Sequence, residues 1–348
     1  MPSAGTAPTI VYVACAEDRE IAVLMLDPGT GALRELARTP VPGTNEPSPG
    51  SLPLALSADR RFLYAALRSP PFPVSSYAID PVSGLLRHLG SAALPDSMAY
   101  LATDATGRHL FSASYGGSKL AVNAIDADGV ARDATQVLAT PPKAHSVRPD
   151  PANRFVYAAC LGGDVVLAQS FDAATGRMDT TPRPVAATRP DAGPRHFVFA
   201  RGGALLYVIN ELDGSINTYA RDAETGALTE LQSISMLPPG VTGRVAAADI
   251  HLTPDGRFLY GSDRTTNTLA GFRVDPATGL LSLATRVASE PTPRGFAIDP
   301  AGRFLLCAGL ASGRVGIYAI DGATGALERV GAQRVGGQPN WIEIIRLA

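Results

Sequence analysis

Asp27-Pro28-Gly29-Thr30-Gly31-Ala32-Leu33 is the stretch on which the fold turns. It returns as Asp80-Pro81-Val82-Ser83-Gly84-Leu85-Leu86 and, shortened, as Asp126-Ala127-Asp128-Gly129. Further copies begin at Asp172, Asp222, Asp275 and Asp321, which makes seven at intervals of roughly fifty residues, the period of propeller blades. The chemistry is that of a tight hairpin. The aspartate accepts hydrogen bonds from the backbone just ahead of it, and the glycine supplies the positive φ that the reversal needs.

A second pattern lies between these turns. Asp255-Gly256-Arg257-Phe258-Leu259-Tyr260 and Ala301-Gly302-Arg303-Phe304-Leu305-Leu306 are its clearest copies, with looser ones over 59–64, 104–111, 150–157 and 201–207. A short apolar run stands on either side, so each copy reads as strand A, hairpin, strand B. Strand C then leads into the Asp-x-x-Thr-Gly turn and strand D leaves it. The reading is all-β: a seven-bladed β-propeller of four-stranded antiparallel blades. The chain opens on a B-type strand, Thr9-Ile10-Val11-Tyr12-Val13, and finishes on an A-type strand, Trp341-Ile342-Glu343-Ile344-Ile345. The last strand is therefore expected to pair with the first and close the ring, which removes open sheet edges. Residues 1–8 read as a short tail and 9–348 as a single domain, with 40–52 a long connection from strand D to strand A.

Composition agrees and narrows the function. Of 348 residues, 45% are hydrophobic and 18% charged, with 35 glycines and 29 prolines for many turns. The net charge is −2 and the basic residues are dispersed, so nucleic acid is not an expected partner. No apolar run approaches the ~18 residues of a membrane span, and no secretory leader is visible, so a cytoplasmic location is expected without a membrane partner. Three cysteines, Cys15, Cys160 and Cys307, fall late in apolar runs and read as buried free thiols.

The two hairpins of each blade lie at one end of the ring. The D-to-A and B-to-C connections lie at the other, where strand-A starts and strand-B exits converge on the channel mouth. These positions are polar: His145, Arg195-His196, Asp249 with His251, Arg294, Trp341, then Glu211 and Asp263-Arg264 after B strands. Such a cluster needs mutual pairing or an anionic ligand. Bland readings stand beside it. Asp263 and Arg264 suit a structural pair, His251 a core histidine and Trp341 a channel plug, while His88 and His109 read as surface residues. No pair has metal-ligand spacing, and neither a phosphate-binding loop nor a dinucleotide fingerprint is present, so no cofactor is expected.

Gly193-Pro194-Arg195-His196-Phe197, Asn210-Glu211-Leu212, Ala248 to Arg257, Ser262-Asp263-Arg264-Thr265 and Pro293-Arg294-Gly295-Phe296 resemble the propeller-type 6-phosphogluconolactonases, over nearly the whole chain. That family also holds fungal carboxy-cis,cis-muconate cycloisomerases. The resemblance implies hydrolysis of a small anionic sugar lactone, with 6-phosphogluconolactone first. A lactone-forming cycloisomerase or lactone isomerase is the alternative, and a non-enzymatic binding propeller the third reading. It implies catalytic roles for His145, Glu211, Arg195 and Arg264. His145 or Glu211 would be the base, and Arg195 or Arg264 would stabilise the oxyanion. Arg294 would hold phosphate or carboxylate, with His196, Asp249, His251, Asp263, Arg244 and Trp341 as further substrate contacts. Tyr100, the segment Arg244-Val245-Ala246-Ala247 and the loop 114–119 depart from the family pattern, which bears on the substrate rather than the fold.

Overall fold

The computed structural model describes residues 7–46 and 51–347. Seven antiparallel sheets stand around a central channel, each contributing its A strand to the wall. Six come from the consecutive segments 54–93, 98–139, 144–187, 194–235, 247–288 and 293–334; the seventh joins Pro339–Arg346 to the three strands of 9–40. In that sheet the first strand, Thr9–Cys15, pairs with Pro339–Arg346, Ile10 opposite Ile345 and Val13 opposite Ile342. Closure by the two ends of the chain is thus observed. Residues 1–6 of the expected tail, and 47–50 of the long connection, lie outside the described residues.

The two sequence patterns lock onto each other across blade boundaries. The hydroxyl of Tyr12 donates to the carbonyl of Gly84 at 2.8 Å, Tyr64 to Gly129 at 3.1 Å, Tyr157 to Gly226 at 2.7 Å, Tyr207 to Gly279 at 2.7 Å and Tyr260 to Gly325 at 2.9 Å. Each tyrosine ends an apolar run at the start of a B strand, Phe-Leu-Tyr at Tyr64 and Tyr260, and each glycine belongs to the Asp-initiated C-to-D turn of the following blade. These glycines have φ between 71° and 82°, and a Cβ on Gly129 would stand 2.3 Å from the Phe62 ring, so only glycine fits. B strands such as Leu205–Asn210 and Phe304–Gly309 are buried at every residue because adjacent blades cover both faces. D strands such as Leu33–Pro40 form the rim and are partly exposed.

Two expectations need correction. The segment 144–187 forms five strands, not four: Arg177–Met178 makes a two-residue pairing after the turn, and Pro184–Ala187 then takes the outer place against Val165–Asp172. His109 is buried, not on the surface, because its ring meets the Phe171 edge at 5.5 Å and Asp104 lies 3.6 Å away. His88 is exposed and the three cysteines are buried free thiols, as expected.

Candidate active site at the channel mouth

Bulges at the starts of the A strands build the site. The ladder skips His145 between the pairs Ala144–Cys160 and Ser146–Ala159, Arg195 between Pro194–Asn210 and His196–Ile209, and Arg294 between Pro293–Gly309 and Gly295–Ala308. In Ala247–Leu252 the skipped residues are Ala248 and Asp249. A bulge re-aims the side chain it releases. Arg195 and His196 would face opposite ways in a regular strand, yet both line the mouth with His145, Asp249, Arg294 and Trp341.

One hydrogen-bonded chain ties the cluster together. Arg195 donates from Nε to Glu211 Oε2 at 2.8 Å, and Arg264 from Nη2 to Glu211 Oε1 at 3.0 Å, so one carboxylate bridges two guanidinium groups. Arg264 is aimed by its Nε bond to the Ala246 carbonyl, 3.0 Å, and Arg195 by Nη1, which donates to the Ala248 carbonyl. Arg195 Nη1 also lies 3.1 Å from His196 Nε2. Arginine can only donate, so this nitrogen accepts and His196 carries its proton on Nδ1, directed at Asp249 Oδ1 2.8 Å away. The other Asp249 oxygen takes His251 Nε2 at 3.1 Å and the Phe296 amide at 3.0 Å. Asp249 therefore positions two histidines across the channel.

The cations outnumber the anions at this rim. Arg294 has no hydrogen bond or ion pair among the described residues. Burial, then Arg195, Arg264 and Arg68, lower the pKa of Arg294 to about 9, and burial and Arg264 lower that of Arg195 to about 10, so both stay charged at neutral pH. Burial alone would raise the Glu211 carboxyl, but Arg195 and Arg264 prevail and hold it below its ordinary range. Burial and Arg195 lower His196 to about 4. His145 falls well below 6.5, first from burial and then from Arg195, His196, Arg294 and Arg264. It is a neutral imidazole with no hydrogen bond on either nitrogen among the described residues, and Nδ1 is fully buried. Its ring stands edge-on to His196 at 5.2 Å and to Tyr115 at 5.8 Å. The recess bounded by His145, Arg195, His196 and Asp249 encloses about 10 Å³, on the scale of one water molecule. A larger cavity, about 190 Å³, lies deeper in the channel beneath His196 and Trp341 and holds Arg148, His251 and Glu343.

The structure thus gathers His145, Arg195, His196, Glu211, Asp249, Arg264 and Arg294. Trp341 belongs to the layer that divides the mouth from the deeper cavity, with its indole donating to Glu343 at 2.9 Å and its ring against Tyr100 at 5.1 Å. His251 faces that deeper cavity. Asp263 does not join the site and does not pair with Arg264: it accepts the Ala246 amide at 3.0 Å and the Thr266 hydroxyl at 2.7 Å, which shapes the B-to-C loop. Arg244 is exposed, with no bond into the cluster among the described residues. Arg68 and Arg148 escaped the sequence reading; a count of positions from the motif tyrosines finds the first.

A closed ring with an arginine-rich mouth and a neutral histidine defines a class, and comparison agrees: residues 9–344 match the family model described as lactonase, 7-bladed beta-propeller, and the chain belongs to that family. Among its relatives, the 6-phosphogluconolactonase of Pectobacterium carotovorum is 39% identical over 338 residues, covering 97% of this chain and 99% of that protein. The 6-phosphogluconolactonase of Sodalis glossinidius is 39% identical over 336 residues, 97% of this chain and 98% of that one. The solved periplasmic gluconolactonase PpgL of Pseudomonas aeruginosa is 27% identical with a TM-score of 0.87, over 98% of this chain and all of that one. These relatives carry lactonase names and give the cycloisomerase alternative no support.

Proposed function

We propose that this chain hydrolyses 6-phosphogluconolactone to 6-phosphogluconate at the channel mouth. The observation that carries the reading is the neutral, hydrogen-bond-free His145 beside three arginines, two of which share the Glu211 carboxylate while the third, Arg294, has no ion pair among the described residues. The fold and the names of relatives at 39% identity support the substrate class.

Lactone hydrolysis adds water to the ring carbonyl; the base takes a proton from the water as the C–O bond forms, and the tetrahedral oxyanion then expels the ring oxygen, which takes up that proton and leaves as a hydroxyl. Of the two candidate bases, Glu211 is the weaker choice, since both oxygens are held by arginines that depress its basicity. His145 is neutral and open to a proton. Burial is the first cause of its low basicity and the neighbouring cations the second; an arriving anion offsets the charges of Arg195, Arg294 and Arg264, so the imidazole regains that second part of its basicity as the substrate docks. Arg195 Nη2 and Arg264 Nη1 have no hydrogen-bond partner among the described residues and are the donors for the oxyanion. Arg294, held without a counter-charge, attracts the substrate's anionic group. Glu211 orients the two oxyanion donors, and Asp249 fixes the His196 tautomer.

The test is the rate of 6-phosphogluconate formation, followed by oxidation of the product with a coupled dehydrogenase, against the spontaneous rate. A catalysed rate that vanishes in Arg195→Ala is expected; no rate above background would overturn the reading. Among the described residues no helix is long and apolar enough to cross a membrane. We place the protein in the cytoplasm because three unpaired thiols, Cys15, Cys160 and Cys307, suit a reducing compartment; fractionation of the native host tests this.

A further inference from the structure

The strand-B exits obey the seven-fold repeat as closely as the turns do. Tyr64, Tyr207 and Tyr260 each bond a glycine carbonyl of the following blade, which fixes them as equivalent places on the ring. Four residues beyond each stand Arg68, Glu211 and Arg264. The last two meet at the mouth. Equivalent places in a propeller share one height along the axis and one distance from it, so Arg68 stands on the same rim.

Its surroundings leave it free to bind. Arg68 is half-buried, and its Nε donates to Ser97 Oγ at 3.1 Å, at the edge of the neighbouring blade. No hydrogen bond from its terminal nitrogens occurs among the described residues. The carboxylate that bears on it, Asp96, is salt-bridged to Lys119 at 2.8 Å. The Arg68 charge bears on Arg294, and neither arginine makes an ion pair among the described residues. Blades 54–93 and 293–334 flank the closing blade. His145 and Glu211 come from the two blades opposite it. Arg68 thus stands on the side of the mouth away from the base, while Arg294 also lines the central recess with His145 and Arg195.

We propose that Arg68 and Arg294 together seat the phosphoryl group of the substrate, and that Arg68 sets the preference for a phosphorylated over an unphosphorylated sugar lactone. This rests on the lactonase reading above. A phosphate dianion offers three oxygens to two planar forks, and it neutralises both cations at once. A neutral sugar lactone gains nothing there.

The experiment compares Arg68→Met and Arg68→Lys with wild type on 6-phosphogluconolactone and on glucono-δ-lactone. Binding of 6-phosphogluconate and of gluconate is followed in parallel by calorimetry. Arg68→Met is expected to lower kcat/KM for the phosphorylated lactone roughly 10- to 100-fold, mainly through KM. The unphosphorylated lactone should stay within about threefold, and Arg68→Lys, which keeps the charge but not the fork, should fall between. 6-Phosphogluconate binding should weaken with kcat/KM while gluconate binding does not change. Equal losses on both lactones, or no loss on either, overturn the phosphate seat and leave the lactonase reading standing. If wild type hydrolyses neither lactone, the lactonase reading falls and the seat with it. Unchanged thermal melting of Arg68→Met separates lost recognition from lost folding.

Discussion

Glu211→Gln removes the single carboxylate that holds Arg195 and Arg264 together. Arg195 is 2% exposed and the Glu211 side chain 18%, so the pair is largely withdrawn from water. Breaking such a pair by deleting one partner costs about 3–5 kcal/mol. Glutamine keeps one acceptor oxygen, so about half of that, ~2 kcal/mol, is the loss expected here. In a chain of this length ~2 kcal/mol lowers Tm by about 2–4 °C. The pH dependence carries a sign. Glu211 is more acidic folded than unfolded, so its contribution is present above its ordinary value of 4.5 and is lost as pH falls through the lower folded value. The gap in Tm between wild type and Glu211→Gln should therefore be full at pH 7 and close in strong acid. Added 6-phosphogluconate should raise the variant's Tm, since an anion then takes over part of the neutralisation. If Glu211 orients the arginines, kcat/KM falls about 10- to 100-fold with misplaced oxyanion donors. The assays are scanning calorimetry from about pH 2 to 8, which spans the titration of Glu211, and initial rates on 6-phosphogluconolactone. An unchanged Tm at pH 7, or a gap that widens in acid, refutes the reasoning.

Arg294→Met removes an uncompensated cation from beside Arg195 and Arg264; Tm should rise by about 1–2 °C while KM for the lactone rises more than ~10-fold, a stability–function trade-off visible in one melt and one saturation curve. His145 must be neutral to act, and its depressed basicity in the free protein means that kcat/KM stays level as pH falls from 8 to about 6; kcat, read with the anion bound, should decline at a higher pH than kcat/KM does. His196 titrates near 4 folded and 6.5 unfolded, so the unfolded chain takes up protons first and stability drains away as pH falls from 6.5 towards 4, with no effect above, measurable by urea melts. Tyr207→Phe strands the Gly279 carbonyl between two blades and should cost about 1–2 kcal/mol in a denaturant titration without changing KM.

The blades were legible because their signals are local. Asp-x-x-Thr-Gly fixes its own turn: Asp27 Oδ1 accepts the Gly29 and Thr30 amides at 2.7 and 3.0 Å, whatever the rest of the chain does. The Phe-Leu-Tyr runs are near-continuously apolar because the B strands are covered on both faces, and the unpaired strand types at the two ends announce ring closure. The mouth was legible in part. His145, Arg195 and Arg294 interrupt apolar runs at strand-A starts, which marks them as misfits. What brings Arg195 and His196 to one side is a bulge, and alternation alone assigns consecutive residues to opposite faces. Asp263 looked like the partner of Arg264 because it precedes it, whereas Arg264 turns back to Glu211 on the previous blade. Arg68 lies in Arg68-Ser69-Pro70-Pro71, which reads as an ordinary surface loop; its place appears only when residues are counted from Tyr64. His109 was misread because its partner, Phe171, comes from the next blade, beyond the reach of local pattern.

His145→Gln tests the base assignment most directly, since it keeps a polar side chain of similar size in the bulge while removing the ring that accepts the proton. The account predicts that kcat on 6-phosphogluconolactone falls about 10²- to 10⁴-fold, with 6-phosphogluconate binding within about threefold of wild type. A variant that keeps more than about a tenth of the wild-type kcat would show that the proton is taken elsewhere, and would contradict the chemistry assigned to this mouth.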